Sequence, residues 1–181
     1  VAEGAVFKRY GIVKEFPKEC KKVGIGQDFG FTNDPSAGVR CGIIDNRLYV
    51  DELFYETDML TSAIANKLKQ YRLKVFADSQ DPRLIQELKN RGINIYPVDK
   101  FPGSIKAGID KIKDMELFVT ERSYHILEEL RKYIWDQDKD GNYINEPVDE
   151  WNHLLDAIRY YILGCLLGRI LKPKDLTGVF H

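Results

Sequence analysis

A chain of 181 residues can build one domain with a substantial core. Its longest apolar run, 157–171, is interrupted by Arg159 and Arg169 and is too short to cross a membrane. The net charge of −1 hides a division: residues 64–113 carry 11 Lys and Arg against 5 Asp and Glu, whereas residues 114–156 carry 4 against 12. Such a split can set a basic face beside an acidic pocket, although solvated helix faces give the same count. The cysteines, Cys20, Cys41 and Cys165, form no CxxC pair or Cys/His cluster, which argues against a disulfide framework and a zinc site and for a reducing compartment. The opening Val1-Ala2-Glu3-Gly4 has no signal-peptide pattern and no Met, as expected of a piece of a longer protein.

In chain order, residues 1–22, with Pro17 and scattered lysines, read as a lead-in or linker. Strands are expected at 23–28, 37–44 and 47–54, the last two joined by an Asp45-Asn46 hairpin turn. A helix follows over 61–71, with Ile64, Ala65 and Leu68 at helical spacing. A short buried strand at 75–77 leads to a helix from Pro82 to Asn90, closed by Arg91-Gly92. Beyond a strand at 93–98, helices are expected at 104–113 and 124–134 around an extended piece at 117–119. Residues 135–144 read as a polar hairpin turning at Lys139-Asp140-Gly141-Asn142. A last helix is expected from about Glu150 to Leu171, with Asp149 as N-cap, then a tail at 172–181. This order predicts one α/β domain over 23–171: a central mixed sheet with an antiparallel three-strand edge and helices on both faces.

Three acidic positions interrupt apolar stretches. Asp28 and Asp78 each end a predicted strand, at the edge where α/β folds place ligands. Asp156 lies among Leu154, Leu155, Ala157 and Ile158, where an uncompensated carboxylate is expensive. Asp34 shares the turn after Asp28, and His153 lies three residues from Asp156, on one helical face. Each has a plainer reading by itself: Asp28 and Asp34 as turn residues, Asp78 as a helix cap or turn residue, His153 as a surface histidine. Converging carboxylates repel one another, and a divalent cation is the usual remedy. Two motifs fail. The loop 136–147 opens like a calcium-binding EF-hand but has Pro147 where that loop needs Glu, and no GxxxxGK phosphate loop occurs.

Taken together, Gly26-Gln27-Asp28-Phe29-Gly30-Phe31-Thr32-Asn33-Asp34-Pro35, Ala77-Asp78-Ser79, Gly103-Ser104-Ile105-Lys106-Ala107-Gly108-Ile109 and Asn152-His153 with Asp156-Ala157-Ile158-Arg159-Tyr160 resemble the nuclease domain of the large terminase subunit of tailed bacteriophages. The likeness runs from about Gly4 to Tyr161. It implies an RNase H-like fold, a preceding ATPase motor domain, and Mg²⁺- or Mn²⁺-dependent cutting of concatemeric viral DNA during packaging. By that resemblance Asp28, Asp78 and Asp156 match the metal-binding acids. Asp34 matches an additional acid of some members, and His153 a histidine near the metals in some. The segment 135–146 is similar in place to a hairpin thought to control substrate access.

The expected function is two-metal phosphodiester hydrolysis. Asp28 would bridge two ions, Asp78, Asp156 and Asp34 would complete their shells, and His153 would orient or relay protons. Lys100 and Lys106 would hold the backbone of double-stranded DNA without reading bases. The resemblance adds the ATPase domain, the small terminase subunit and the portal as partners, and the cytoplasm of the bacterial host as location. The fragment by itself is expected to be a monomer. The competing readings are a junction resolvase or RNA–DNA hybrid nuclease of the same fold, or a non-catalytic DNA-binding or assembly module.

Overall fold

The structure, a computed structural model, describes residues 2–31 and 33–172. Its strands are β1 (Gly11–Val13), β2 (Lys21–Asp28), β3 (Ser36–Ile44), β4 (Arg47–Glu56), β5 (Lys74–Ala77), β6 (Ile95–Pro97), β7 (Glu116–Thr120), β8 (Trp135–Gln137) and β9 (Tyr143–Pro147). The helices are α1 (Thr61–Lys69), α2 (Pro82–Asn90), α3 (Ser104–Lys113), α4 (Tyr124–Lys132) and α5 (His153–Tyr161), the last continued by a π-helical turn, Ile162–Leu166.

Seven strands form one sheet in the order β1-β7-β4-β3-β2-β5-β6. The meander β2-β3-β4 is antiparallel, as its hairpin signals predict. It is not at an edge, however. Beyond β4 the sheet continues through β7 and β1, and beyond β2 through β5 and β6, always by parallel pairing. All strands but β3 therefore run the same way, and their carboxyl ends share one edge. The sequence could not show this, because β7 and β1 are joined to the meander by long connections rather than by turns.

Side chains alternate along each strand and build two cores. On one face Ile25 of β2 and Val75 and Ala77 of β5 pack with Ile64, Ala65 and Leu68 of α1 and Ile85 and Leu88 of α2. On the other, Phe76 of β5 and Val39, Leu48 and Val50 of the meander pack with Ile109, Ile126, Leu130, Ile158 and Tyr161 from α3, α4 and α5. Asp28 and Asp78 keep the parity of Gly26 and Phe76, so both lie on the α5 face.

Three expectations need correction. Residues 1–22 are not a free-standing lead-in: Ala5, Val6 and Phe7 are buried, Val6 N–H donates to Tyr133 O, and β1 pairs with β7. The last helix starts at His153, with Asn152 as N-cap; Asp149 lies one turn early and accepts from the Asn152 amide at 3.0 Å. It also stops short of Leu171. Gly168 takes φ +66°, which reverses the chain, and Ile170 then bridges back to Val98 beside β6. Apart from Lys172, the expected tail lies outside the described residues, as does Thr32.

The tightest contact in the domain joins α5 to β2. A Cβ on Gly26 would lie 1.8 Å from the carbonyl oxygen of Ala157, so the helix backbone rests directly on the strand. Gly26→Ala should therefore lower stability by about 3 kcal/mol or more, read as the midpoint of urea unfolding. An unchanged midpoint would mean that α5 does not press on β2.

Candidate metal centre

β2 and β5 are parallel neighbours with Gln27 opposite Ala77, and the Asp78 N–H donates to Gln27 O at 3.1 Å. Asp28 and Asp78 thus leave adjacent strands side by side at the carboxyl edge. α5 crosses that edge over Gly26 and brings His153 and Asp156 to it. His153 lies between two acids, with Nδ1 3.7 Å from Asp28 Oδ2 and Nε2 3.7 Å from Asp34 Oδ1. Asp28 and Asp78 are buried, Asp34 is exposed, and the Asp156 side chain is 21% exposed.

The three principal acids share a pattern. In each, one oxygen is tied by a protein donor: Asp28 Oδ1 by Gly30 N–H (3.0 Å), Asp78 Oδ1 by Gln80 N–H (3.1 Å) and Lys100 Nζ (3.0 Å), and Asp156 Oδ1 by Arg159 Nη2 (3.1 Å). Each Oδ2 accepts no hydrogen bond among the described residues. The turn role open to Asp28 is therefore real, but it takes only half of the carboxylate. The cap of α2 is Asp81, which accepts from Arg83 N–H and Leu84 N–H, so capping does not explain Asp78.

These charges feel one another. Burial pushes Asp156 up to about 6; Arg159 pulls it down, Asp28 pushes it up, and His153 pulls it down. Asp28 raises His153 above its ordinary value, burial opposes this, and Asp34 and Glu129 add to the rise. The buried Tyr160 hydroxyl is raised by burial first and then by Asp156, Asp78 and Asp28. Among the described residues, no three His, Cys, Asp or Glu side chains come together as a group that could hold a metal ion. Lys100 and Arg159 stand as counter-charges on two of the acids instead.

Two supporting residues were not singled out as site residues from the sequence. Glu129 of α4 is buried, and its carboxylate accepts from Leu154 N–H at 2.9 Å and Leu155 N–H at 3.0 Å. It caps α5 from a neighbouring helix, a role that Asn152 leaves unfilled. Its one visible signal was an acid between Ile126 and Leu130, on the apolar side of α4. Arg159 is buried beside Tyr160, where Gly108 of α3 makes room for it: a Cβ there would lie 2.5 Å from Arg159 Cγ. In the sequence Arg159 was visible as a break in an apolar run and as part of the motif around Asp156, with no role of its own.

The expected DNA contacts are engaged within the protein. Lys100 pairs with Asp78, and Lys106 pairs with Asp110 at 2.9 Å, both exposed. Lys106 lines a groove of about 570 Å³ running from the start of α3, past Asn145, Glu146 and Pro147 of the β8–β9 hairpin, to Asp156. The hairpin expected at 135–144 is present, and its tip is closed by Asp138 accepting from Asp140 and Asn142 N–H groups. A larger groove of about 950 Å³ opens by Asn46 and Glu116 at the opposite, amino edge of the sheet. It contains none of the acids above.

The family model described as Terminase RNAseH like domain matches residues 28–163. The chain belongs to that family. The terminase domain is 35% identical over 144 residues to the large terminase subunit of Bacillus phage SPP1, which covers 75% of this chain and 34% of that protein. It is 29% identical over 141 residues to the PBSX phage terminase large subunit of Bacillus subtilis (strain 168), covering 75% and 33%. It therefore spans about a third of the length of these curated relatives. Among solved structures, the nuclease domain of the SPP1 large terminase, crystallised with bound Mn, superposes with a TM-score of 0.77 at 27% identity, covering 86% of this chain and 96% of that one. The terminase domain is thus RNase H-like. None of its helices, among the described residues, is long and apolar enough to cross a membrane.

The raised groups make a pH test. Glu129 is pushed by burial up to about 7, against the pull of the Leu155 and Leu154 N–H groups. Glu129, Asp156 and His153 all hold protons more tightly folded than unfolded. Their stabilisation is complete below the unfolded values and is lost as pH rises through the folded ones. The metal-free protein should melt several degrees higher at about pH 5.5 than at about pH 7.5. Asp156→Asn should flatten that slope and raise the melting temperature at the upper pH. A melting temperature that rises with pH over this window would refute the assignment.

Proposed function

We propose that this chain is a divalent-metal-dependent endodeoxyribonuclease, the cutting domain of a large terminase subunit that acts on concatemeric viral DNA during packaging. The observation that carries the reading is the set of half-committed carboxylates: Asp28, Asp78 and Asp156, each with one oxygen held by a donor, the other open in Asp78 and Asp156 and faced only by His153 Nδ1 at 3.7 Å in Asp28. All-oxygen donors of this kind suit Mg²⁺ or Mn²⁺, and the SPP1 neighbour was crystallised with Mn.

Asp28, which leaves the sheet edge beside Asp78 and faces His153, would hold the ions together with Asp78 and Asp156. Asp34, on the exposed side of His153, would be an additional ligand. When bound, such ions activate a water and stabilise the leaving oxygen of a phosphodiester. Arg159 fixes the Asp156 carboxylate, Glu129 fixes the first turn of α5, and His153 holds or passes a proton beside Asp28 and Asp34. Lys106, in the groove that ends at Asp156, is positioned to meet the backbone of a duplex.

In this reading the domain would follow an ATPase motor in the same polypeptide and would work with a small subunit and portal in the host cytoplasm. With a net charge of −1, the domain by itself should hold DNA weakly and lose its grip with salt. Those partners would supply the rest.

Plasmid nicking tests the reading. Activity should require Mg²⁺ or Mn²⁺, vanish in EDTA, and show little sequence preference. Asp28→Asn, Asp78→Asn and Asp156→Asn should each lose about a hundredfold or more while remaining folded by circular dichroism. His153→Ala should be slower but active, with an altered pH profile. Cutting in EDTA, or three folded Asn variants with wild-type rates, would overturn the proposal and favour a non-catalytic module.

A further inference from the structure

We propose that Lys100 is a built-in counter-ion that offsets the charge of Asp78 and keeps the acid cluster short of the charge a second metal ion needs until DNA phosphates draw it away, so that full metal loading depends on DNA. The inference rests on the metal-dependent reading above and adds an order of events to it.

Lys100 Nζ lies 3.0 Å from Asp78 Oδ1, in the gap where Asp78 meets the edge of the sheet. The two partners differ in freedom. The Asp78 side chain is 4% exposed and the Lys100 side chain 34%. The ammonium can therefore leave into solvent while the carboxylate stays. The backbone on either side of Lys100 is pinned: Asp99 N–H donates to Arg169 O at 2.9 Å, the Asp99 carboxylate pairs with Arg169 at 3.0 Å, and that guanidinium lies 4.0 Å from the Phe101 ring centre. Departure therefore needs rotation of the lysine stem and no rearrangement of the loop.

Charge balance makes this motion consequential. Asp28, Asp34, Asp78 and Asp156 bring up to four negative charges. Lys100 and Arg159 return two positive ones, leaving about enough for one divalent ion when His153 is neutral. Arg159 cannot leave, since its side chain is 8% exposed and sits under α3. A second ion needs two more negative charges. A phosphate at the cluster brings one. A neighbouring phosphate that takes Lys100 restores the other, on Asp78. DNA binding and second-ion binding are then linked, and each must strengthen the other.

The test is calorimetric titration of Mn²⁺ into the metal-free chain without DNA. Wild type should take up one ion tightly. Lys100→Met and Lys100→Gln should take up a second, or bind the first about tenfold more tightly. Lys100→Arg should match wild type, because it keeps the charge. Lys106→Met should also match, because it removes a nearby cation that touches no acid of the cluster. With an uncleavable phosphorothioate duplex present, wild type and the neutral variants should bind equal numbers of ions. Wild-type or weaker Mn²⁺ binding by both folded neutral variants without DNA would overturn the proposal and leave Lys100 as a strut for Asp78. If Asp28→Asn and Asp156→Asn bind Mn²⁺ as tightly as wild type, the nuclease reading falls and the proposal with it. The two failures are therefore distinguishable.

Discussion

Every feature of the site depends on the direct contact of α5 with β2. With only hydrogen on Gly26, the Ala157 carbonyl can approach to a distance that any side chain would forbid. Ordinary helix-on-sheet packing keeps the two backbones apart by a layer of side chains. Here that layer is missing at one point, and the helix comes down at the carboxyl end of the strand. Asp156 and His153 reach Asp28 because of it. The same contact makes the site costly. The helix start must be buried, its first N–H groups need a partner, and Glu129 provides one from α4. That carboxylate is itself buried, which is why its proton affinity climbs to about 7. Closeness at the centre is thus bought with strain in the protonation equilibria around it.

A fourth buried acid shows what distinguishes a reactive carboxylate from a structural one. Asp51 of β4 is as deeply buried as Asp28 and Asp78, but it lies away from α5 and is saturated. Arg40 holds one oxygen, Arg122 holds both, and Thr120 adds a third donor to the pair. Burial would raise it, yet the bonds from Arg122 and Thr120 and the two guanidinium charges bring it below the usual carboxylate range. Such an acid ties β3, β4 and the end of β7 together and has no lone pair to offer. Asp28, Asp78 and Asp156 are left half-satisfied. In a folded protein that has already buried them, this is a cost that a bound cation would relieve.

The supporting cations extend the same logic. Arg159 and Lys100 occupy similar places, each on one oxygen of one acid, but differ in exposure. The guanidinium is enclosed beneath α3 and offsets the charge of Asp156. The ammonium sits at the rim, where it can serve the protein in one state and the substrate in another. Membership of the terminase family is consistent with this arrangement. The likeness to the SPP1 nuclease domain, at 27% identity, covers 86% of the chain.

Much of this was legible in the chain. Short apolar runs bounded by turn residues located β2 to β7, and Pro82 marked the start of α2, because these signals are local. The acids Asp28, Asp78 and Asp156 stood out because each breaks an apolar stretch where an isolated charge is unfavourable. Their order and spacing were enough to suggest the family. Tertiary structure decided what depends on contacts distant in sequence. It placed the meander inside the sheet, since parallel pairing of β7 with β4 leaves no turn signal. It drew residues 5–13 into the fold through a partner strand a hundred residues later. It moved the start of α5 to His153, because the carboxylate that caps it belongs to another helix. It also showed Lys100, expected as a contact to the DNA backbone, to be the partner of Asp78. Local propensity follows from neighbours along the chain, whereas charge compensation follows from neighbours in space, and only folding selects those.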